Sequence, residues 1–324
     1  MFSLQAWYKK YFTPQKMMRT VLLSTLLPIL FGIYLYGWRV LALLLVVTAA
    51  GVATEFLFQR HYKKKISEAV FVSCILYTLT LPPSMPFWMA VIGIVFGLFF
   101  GKLVFGGFGA NPFNPALVAR AFVYVNFPEP MTISWTQNAH GLPGGFARFL
   151  LPEIDAVTEA TPMILFNNTG STQPLGDMIF GNIPGAIGET SVLIILIAAA
   201  YLIWKKVASW EVMAGGVVSF IVLQSFMYYV VGAPVVDPLY GLVMGGFLFA
   251  MVFMATDPIS CCKTKEGKFI FGAIVGIVTV LIRALSLFNG GAMFAVLIAN
   301  TFGPIVDIAV RAVKNRKKNK EATA

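Results

Sequence analysis

Charged side chains are scarce in this sequence. Lys, Arg, Asp and Glu make up 12% of its 324 residues, whereas a soluble domain carries roughly 25%. Hydrophobic residues account for 58%, and the mean hydropathy is +0.80. These values exclude an ordinary soluble domain. They predict an all-α polytopic membrane protein, because helices satisfy their own backbone hydrogen bonds in lipid.

Side chains that bind metals are also few. The cysteines are Cys74, inside an apolar run, and the adjacent pair Cys261 and Cys262, while the histidines are His61 and His140. No Cys-x-x-Cys spacing occurs, and no histidine lies close to a cysteine in the sequence. We therefore expect no disulfide framework, zinc site or self-contained iron–sulfur cluster.

The charge balance is basic, with a formal net charge of +10. The basic residues form short clusters beside apolar runs, for example at 60–65, 263–268 and 314–320. This distribution is typical of the cytoplasmic loops of membrane proteins. We therefore expect the lipid bilayer as a partner and no nucleic acid.

Long apolar runs dominate the chain. No small-residue cleavage site follows the first run, so we expect it to be an uncleaved span. Five runs precede a polar insertion at 128–189, and five follow it. The runs of spanning or near-spanning length lie at about 21–37, 39–58, 66–81, 87–105, 112–127, 190–204, 212–232, 239–256, 268–288 and 291–313.

Loop charges predict the orientation, because Lys and Arg favour the cytoplasmic side. The basic clusters, with Lys102 among them, fall on alternate loops, whereas the insertion carries acidic residues against a single Arg148. We predict a cell (inner) membrane protein with both termini in the cytoplasm. Its parts are a first five-helix repeat at 1–127, an external region at 128–189, a second five-helix repeat at 190–313 and a basic cytoplasmic tail at 314–324.

One polar stretch, 106–121, interrupts the apolar runs. It places Asn111, Asn114 and Arg120 among glycines and prolines. In a bilayer such irregular backbone survives only where protein or a water-filled cavity surrounds it. We therefore expect a site in this stretch.

Two short patterns occur twice in the same order. Asn300 begins a second copy of the Asn-x-Phe-x-Pro pattern that starts at Asn111, and Thr256-Asp257-Pro258 repeats the Thr-x-Pro pattern of 80–82. An odd number of spans in each half turns the second half over in the membrane. The sequence therefore predicts about ten transmembrane helices as two inverted five-helix repeats with broken helices.

Ionisable residues within or beside the apolar runs each need a partner or a function. A central Arg or Asp costs about 2.5–3.5 kcal/mol on insertion scales. For Glu68, Arg283 and Arg311 we expect snorkelling to the interface from a span end. The full set is Glu55, Glu68, Arg120, Asp237, Asp257, Arg283, Asp307 and Arg311.

Asp257 allows two interpretations. Pro258 follows it and removes a backbone donor, which frees upstream carbonyls as an ion-coordinating helix break would. Asp257 is equally an ordinary helix-end residue before a loop proline. The first interpretation places Asp257 and Phe253 on an ion path.

Thr161 and Pro162 begin an apolar run inside the polar insertion. The local pattern alone favours a structural role, because Thr is a good N-cap and proline suits the first helical position. Asn111 and Asn114 likewise have a structural interpretation as caps of the broken fifth helix.

Three motifs, at 109–121, 254–258 and 155–161, together resemble the RnfD/NqrB family. Its members are membrane subunits of ion-pumping flavin redox complexes, and the resemblance covers essentially the whole chain. The short N-terminus is more similar to RnfD. In the flavin motif, Thr158 replaces a serine of the family pattern and Glu159 replaces a glycine.

The resemblance implies two flavins. FMN would be joined to Thr161 by a phosphoester bond, and non-covalent riboflavin would lie near Asn111 and Asn114, with Arg120 as a further contact. A phosphoester tether leaves the electronics of the ring unchanged, so the protein would tune its potential only through contacts and polarity.

The resemblance also implies a function. The chain would be one subunit, not catalytic alone, of an Rnf-type oxidoreductase and translocase that couples electron transfer between ferredoxin and NAD to movement of Na⁺ or H⁺. Its partners would be RnfA, RnfB, RnfC, RnfE and RnfG, with a flavin transferase during maturation. The alternative is a channel or secondary transporter for a small solute or ion, because inverted repeats with broken helices are also typical of transporters. A covalent chromophore distinguishes the two.

Overall fold

The computed structural model describes residues 8, 10–133, 135–151, 161–286, 288 and 291–323, without the side chains of 320, 322 and 323. Asp155, Thr158 and Glu159 of the flavin motif lie outside the described residues. The chain divides into two compact units, one ending at Val207 and the other beginning at Ala208.

The first unit is helical apart from a short parallel pairing of β1 (Phe12–Thr13) with β2 (Ile66–Ser67), in which Phe12 lies opposite Ile66. A π-helical turn, Phe99–Leu103, continues α5, and a 3-10 turn spans Gly144–Ala147. The α-helices are α1 (Lys16–Ser24), α2 (Leu26–Tyr36), α3 (Arg39–His61), α4 (Ala69–Leu79), α5 (Phe87–Leu98), α6 (Pro115–Asn126), α7 (Pro128–Thr132), α8 (Pro162–Thr169), α9 (Leu175–Phe180) and α10 (Val192–Trp204).

The second unit contains two long helices and one broken helix. A π-helical turn, Phe226–Val231, continues α11, and another, Ala250–Met254, continues α13. The α-helices are α11 (Trp210–Ser225), α12 (Pro238–Val243), α13 (Phe247–Phe249), α14 (Lys265–Leu285) and α15 (Ala292–Thr323).

The predicted fold class, an all-α polytopic membrane protein, is confirmed. Shorter apolar helices occur at Ala69–Leu79, Phe87–Leu103 and Val192–Trp204. The two remaining apolar runs hold the short helix α6 and the broken pair α12 and α13. Stretches long and apolar enough to cross a membrane are Lys16–Tyr36, Arg39–His61, Trp210–Val231, Lys265–Leu285 and Ala292–Asn319.

Glycines let helices approach closely in both units. A Cβ on Gly97 of α5 would lie 2.5 Å from Ala119 Cβ of α6, and a Cβ on Gly272 of α14 would lie 2.1 Å from Val212 O of α11. Small residues at such contacts allow the van der Waals packing that drives helix association in lipid. The helices that carry the candidate site residues are therefore held by contacts close to the backbone.

The last helix, α15, continues beyond residue 313 into the segment predicted as a tail. The run from Lys314 is rich in Lys, Arg and Ala, which are good helix formers. Lys314 Nζ also lies 2.7 Å from Glu266 Oε2 on α14. The segment is helical as far as Thr323.

The orientation stays a prediction, and reporter fusions test it. A reporter fused after Lys206 or at the C-terminus should be active in the cytoplasm, and one near Pro174 should be active outside, because basic loops stay on the cytoplasmic side. Paired alkaline phosphatase and fluorescent-protein fusions measure this. Reversed signals would place Thr161 in the cytoplasm and contradict the model of an external flavin.

Candidate functional site

The stretch around Asn111 and Asn114 leads into α6. Asn114 is the N-cap of this helix, and its Oδ1 accepts a hydrogen bond from Ala116 N at 3.0 Å. Asn111 is buried, and its Nδ2 donates to Phe113 O at 3.1 Å. The structural interpretation therefore holds for Asn114, whereas Asn111 holds the preceding turn. A riboflavin contact at either residue stays a prediction.

Glycines shape the turn before these asparagines. Gly106, Gly107 and Gly109 have φ values of +109°, +96° and +93°, a region that L side chains rarely adopt. A Cβ on Gly109 would meet nothing within 4 Å. The turn therefore leaves open space beside Asn111, as a bound ring would require.

Arg120 of α6 pairs with Glu189, which precedes α10. Arg120 Nη1 donates to Glu189 Oε1, Nη2 lies 3.5 Å from Oε2, and the side chains are 15% and 11% exposed. Arg120 Nε is buried without a hydrogen-bond partner among the described residues. One donor of Arg120 therefore remains for a ligand, although Glu189 already balances its charge. The two residues are 69 positions apart, and the sequence analysis missed the pair.

Thr161 lies where the local pattern placed it, at the N-cap of α8 with Pro162 at the first helical position. Its side chain nevertheless makes no capping hydrogen bond to the described residues of α8. The residue is partly exposed. A reachable hydroxyl that the helix does not use fits attachment of FMN by an enzyme.

Phe253 and Asp257 follow the broken helix. Phe253 is buried in the π-helical turn, with its ring centroid 4.9 Å from that of Phe249. Asp257 Oδ1 accepts from Ile259 N at 3.1 Å, and Oδ2 accepts from Ser260 Oγ at 3.0 Å. These bonds are those of the helix-end interpretation. The ion-path role of both residues stays a prediction.

Polar residues of α15 hold the segment after Asp257. Asp307 Oδ2 accepts from Lys263 N at 2.7 Å, and Oδ1 accepts from Thr264 Oγ1 at 2.6 Å. Asn300 Nδ2 donates to Ser260 O at 3.2 Å. The second copy of the asparagine motif thus contacts the Asp257 segment directly.

Cys261 and Cys262 lie in the same segment, between α13 and α14. Burial raises the pKa of both thiols to about 12. Both are therefore protonated at neutral pH, and a thiol in that state is a poor nucleophile and metal ligand. Cys262 Sγ donates to Gly303 O at 3.3 Å, so its role here is structural.

The assignment of Lys102 to a cytoplasmic loop is wrong. Lys102 Nζ lies 2.7 Å from Glu55 Oε2 and 2.9 Å from Ser67 Oγ, and the Lys102 and Glu55 side chains are 2% and 0% exposed. Glu55 Oε1 also accepts from Ser67 N at 3.0 Å. A buried ion pair is tolerated only when its remaining hydrogen bonds are satisfied in this way.

The expected snorkelling of Glu68 is also wrong. Its side chain is buried and accepts from Arg19 Nη2 at 2.6 Å, from Gln15 N at 2.6 Å and from the Tyr8 hydroxyl. These donors lie 49 to 60 residues earlier in the chain. Glu68 therefore ties the N-terminal segment to the start of α4.

Arg283 does not simply snorkel either, because its guanidinium binds backbone carbonyls of the broken helix. Nη1 lies 2.6 Å from Gly241 O, and Nη2 lies 2.9 Å from Met244 O. Arg311 is exposed, as expected.

Comparison with known proteins identifies the family. A model described as the NQR2, RnfD, RnfE family matches residues 2–315. The chain belongs to this family. A relative in Yersinia pestis, the subunit lettered B of the Na(+)-translocating NADH-quinone reductase, is 38% identical over 297 residues that cover 85% of this chain and 68% of that protein.

Two further relatives carry the same name and show similar matches. The one from Pseudomonas paraeruginosa is 38% identical over 268 residues, covering 78% of this chain and 62% of its own length. The one from Neisseria meningitidis is 38% identical over 274 residues, covering 81% of this chain and 65% of its own length. The chain thus spans between 62% and 68% of the length of these relatives.

Proposed function

We propose that this chain is the flavin-bearing membrane subunit of a complex that couples electron transfer to ion translocation. The observation that carries the proposal is the 38% identity, over 85% of the chain, to a reductase subunit named as Na(+)-translocating. The helical membrane fold and its broken helix support it, because broken helices are where membrane transporters coordinate ions.

In this proposal Thr161 is the anchor for FMN. The partly exposed hydroxyl at the start of α8 leaves room for a phosphoester bond. A threonine hydroxyl is a weak nucleophile at neutral pH, so a flavin transferase must make the bond. When bound, the flavin supplies a carrier of single electrons between neighbouring subunits.

Riboflavin is the second cofactor of the proposal. Arg120 Nε, the one donor of that guanidinium without a partner among the described residues, and the open turn at Gly109 support a ligand near Asn111. Asn111 and Arg120 would hold polar edges of the ring through amide and guanidinium groups.

The finer proposal is an Rnf-type complex. It would pass electrons between ferredoxin and NAD, move Na⁺ or H⁺, and contain RnfA, RnfB, RnfC, RnfE and RnfG as partners in the inner membrane. The support is the motif resemblance described above. A second candidate is an NADH–quinone reductase, favoured by the name of the relatives.

Electron donors and acceptors separate the two candidates. The complex, purified through a tag on this chain, is assayed once with reduced ferredoxin and NAD⁺ and once with NADH and a quinone. The Rnf-type proposal expects NAD⁺ reduction by ferredoxin and no quinone reduction. The opposite pattern would establish the second candidate, and a complex inactive in both assays would contradict both.

Changing Asp257 to Ala should slow ion-dependent turnover of the assembled complex while the flavin stays bound. The expectation rests on the carboxylate at the end of the broken helix, where a charge can attract a passing cation. Turnover is measured against Na⁺ concentration, and flavin is measured by gel fluorescence.

Asp237→Ala is the matched control. Asp237 also precedes a proline, and its Oδ1 accepts from Leu239 N at 2.9 Å, as Asp257 Oδ1 accepts from Ile259 N. Losing such a cap costs about 1 kcal/mol of helix stability. If the two variants show the same ion dependence, Asp257 is only a helix-end residue.

A further inference from the structure

The broken helix contains a cluster of freed carbonyls. Its halves, α12 and α13, belong to one apolar run and separate at Met244, Gly245 and Gly246. Gly245 and Gly246 have φ values of +65° and +67°, which only glycine adopts readily. The backbone carbonyls at such a break lose their helical donors and need others.

One guanidinium supplies these donors. Arg283 of α14 places Nη1 2.6 Å from Gly241 O, and Nη2 2.9 Å from Met244 O and 3.3 Å from Gly245 O. Backbone carbonyls freed by a helix break are also the ligands with which membrane transporters hold Na⁺. The positive charge of Arg283 thus lies where a free cation would be coordinated.

The surroundings of this cluster contain a further oxygen. Gln224 of α11 is 2% exposed, and its Nε2 donates to Val236 O at 2.7 Å. Its Oε1 is buried without a hydrogen-bond partner among the described residues. A Cβ on Gly241 would lie 3.2 Å from Gln224 Nε2, so the amide lies beside the carbonyls that Arg283 binds.

An aromatic wall completes the site. The Arg283 guanidinium lies 5.5 Å from the centre of the Phe220 ring, which lies 4.5 Å from that of Phe247. Both phenylalanines are fully buried. Like charges repel strongly where water is excluded, so a second cation cannot enter while the guanidinium is in place.

We propose that Arg283 is a tethered cation that fills a carbonyl site in the broken helix and so closes this unit to passive Na⁺ flow. The inference rests on the proposed ion-translocating function, and it adds the residue that keeps translocation tight. Without the charge, the three carbonyls and Gln224 Oε1 remain as ligands for free Na⁺.

The test is passive Na⁺ entry into vesicles that contain the assembled complex, with no electron donor and with an imposed membrane potential. Arg283→Gln should raise the rate by about tenfold or more, which corresponds to lowering the barrier by about 1.4 kcal/mol. Arg283→Lys keeps a positive charge and should stay at the wild-type rate.

Arg39→Gln is the matched control. Arg39 Nε lies 3.0 Å from Pro83 O, and Nη2 lies 3.2 Å from Ser84 O and 3.0 Å from Met85 O. This guanidinium therefore binds carbonyls as Arg283 does, but at the segment that links α4 to α5. Its loss should leave passive Na⁺ entry unchanged.

An Arg283→Gln complex as tight as wild type would overturn the inference, and so would equal leaks in the Gln and Lys variants. If the Gln variant fails to assemble, Arg283→His replaces it, because histidine gains its charge below a pKa of about 6.5. Its leak should fall as the pH is lowered, and a leak independent of pH would contradict the proposal. Redox-driven uptake by wild type in the same vesicles tests the proposed function separately.

Discussion

The denatured Thr161→Ala subunit should show no flavin fluorescence on a gel, whereas the wild-type subunit keeps a fluorescent band. Non-covalent flavin is lost when the fold is lost, but a phosphoester bond persists. Both proteins must be coexpressed with the flavin transferase, because the hydroxyl does not react unaided. The variant should still insert into the membrane, since its apolar spans are unchanged.

Two further variants define the attachment site. Thr161→Ser keeps a hydroxyl and should retain at most partial labelling if the transferase reads the shape of the side chain. Thr158→Ala should stay largely labelled. A band that disappears with Thr158 instead would show that the motif is misaligned. A dark wild-type subunit would favour the channel or transporter alternative.

Removing one partner of the buried Glu55–Lys102 pair should have the largest effect on stability. Glu55→Gln leaves the Lys102 ammonium 2% exposed without its balancing charge. Breaking a buried pair in this way costs about 3–5 kcal/mol. We expect a clear loss of thermal stability of the purified protein in detergent, followed by the temperature at which the monodisperse peak disappears.

The controls separate burial from charge. Glu266→Gln removes the partner of Lys314 in an ion pair whose side chains are 56% and 55% exposed, and exposed pairs contribute about 0–1 kcal/mol. The double variant Glu55→Gln with Lys102→Met should recover part of the loss, because no unpaired charge remains. Equal effects of Glu55→Gln and Glu266→Gln would show that the buried pair contributes nothing special.

Hydropathy predicted the positions of the helices well, because lipid allows little besides helix along an apolar run. It did not locate the break inside 239–256. All three residues at the break are compatible with an apolar span, and only the adjacent Gly245 and Gly246, both with positive φ, mark the interruption. A Gly-Gly pair within a predicted span is the signal that could have found it.

Charged residues near span ends were the least predictable. Lys102 lies in a run that ends close to a basic loop, and its partner Glu55 is 47 residues away. Arg283 binds Gly241 O from 42 residues away. Sequence position shows that such a charge needs a partner, but only the packing of the helices decides which partner it finds.

Thr161 was placed correctly at the N-cap of α8, but for a reason that the structure does not support. The pattern of Thr before Pro predicts a capping side chain, whereas Thr161 makes no such bond to the described residues of the helix. An N-cap residue whose hydroxyl does not cap is consistent with another use for that hydroxyl.

The proposed anchor Thr161 belongs to the first unit, and the proposed ion-path residues Phe253, Asp257 and Arg283 belong to the second. The central claim is that electron transfer through the flavin on Thr161 drives ion movement. Redox-driven uptake of Na⁺ or H⁺ by vesicles containing the wild-type or the Thr161→Ala complex tests it most directly. We predict uptake with wild type and none with the variant, and equal uptake by the two complexes would contradict the account.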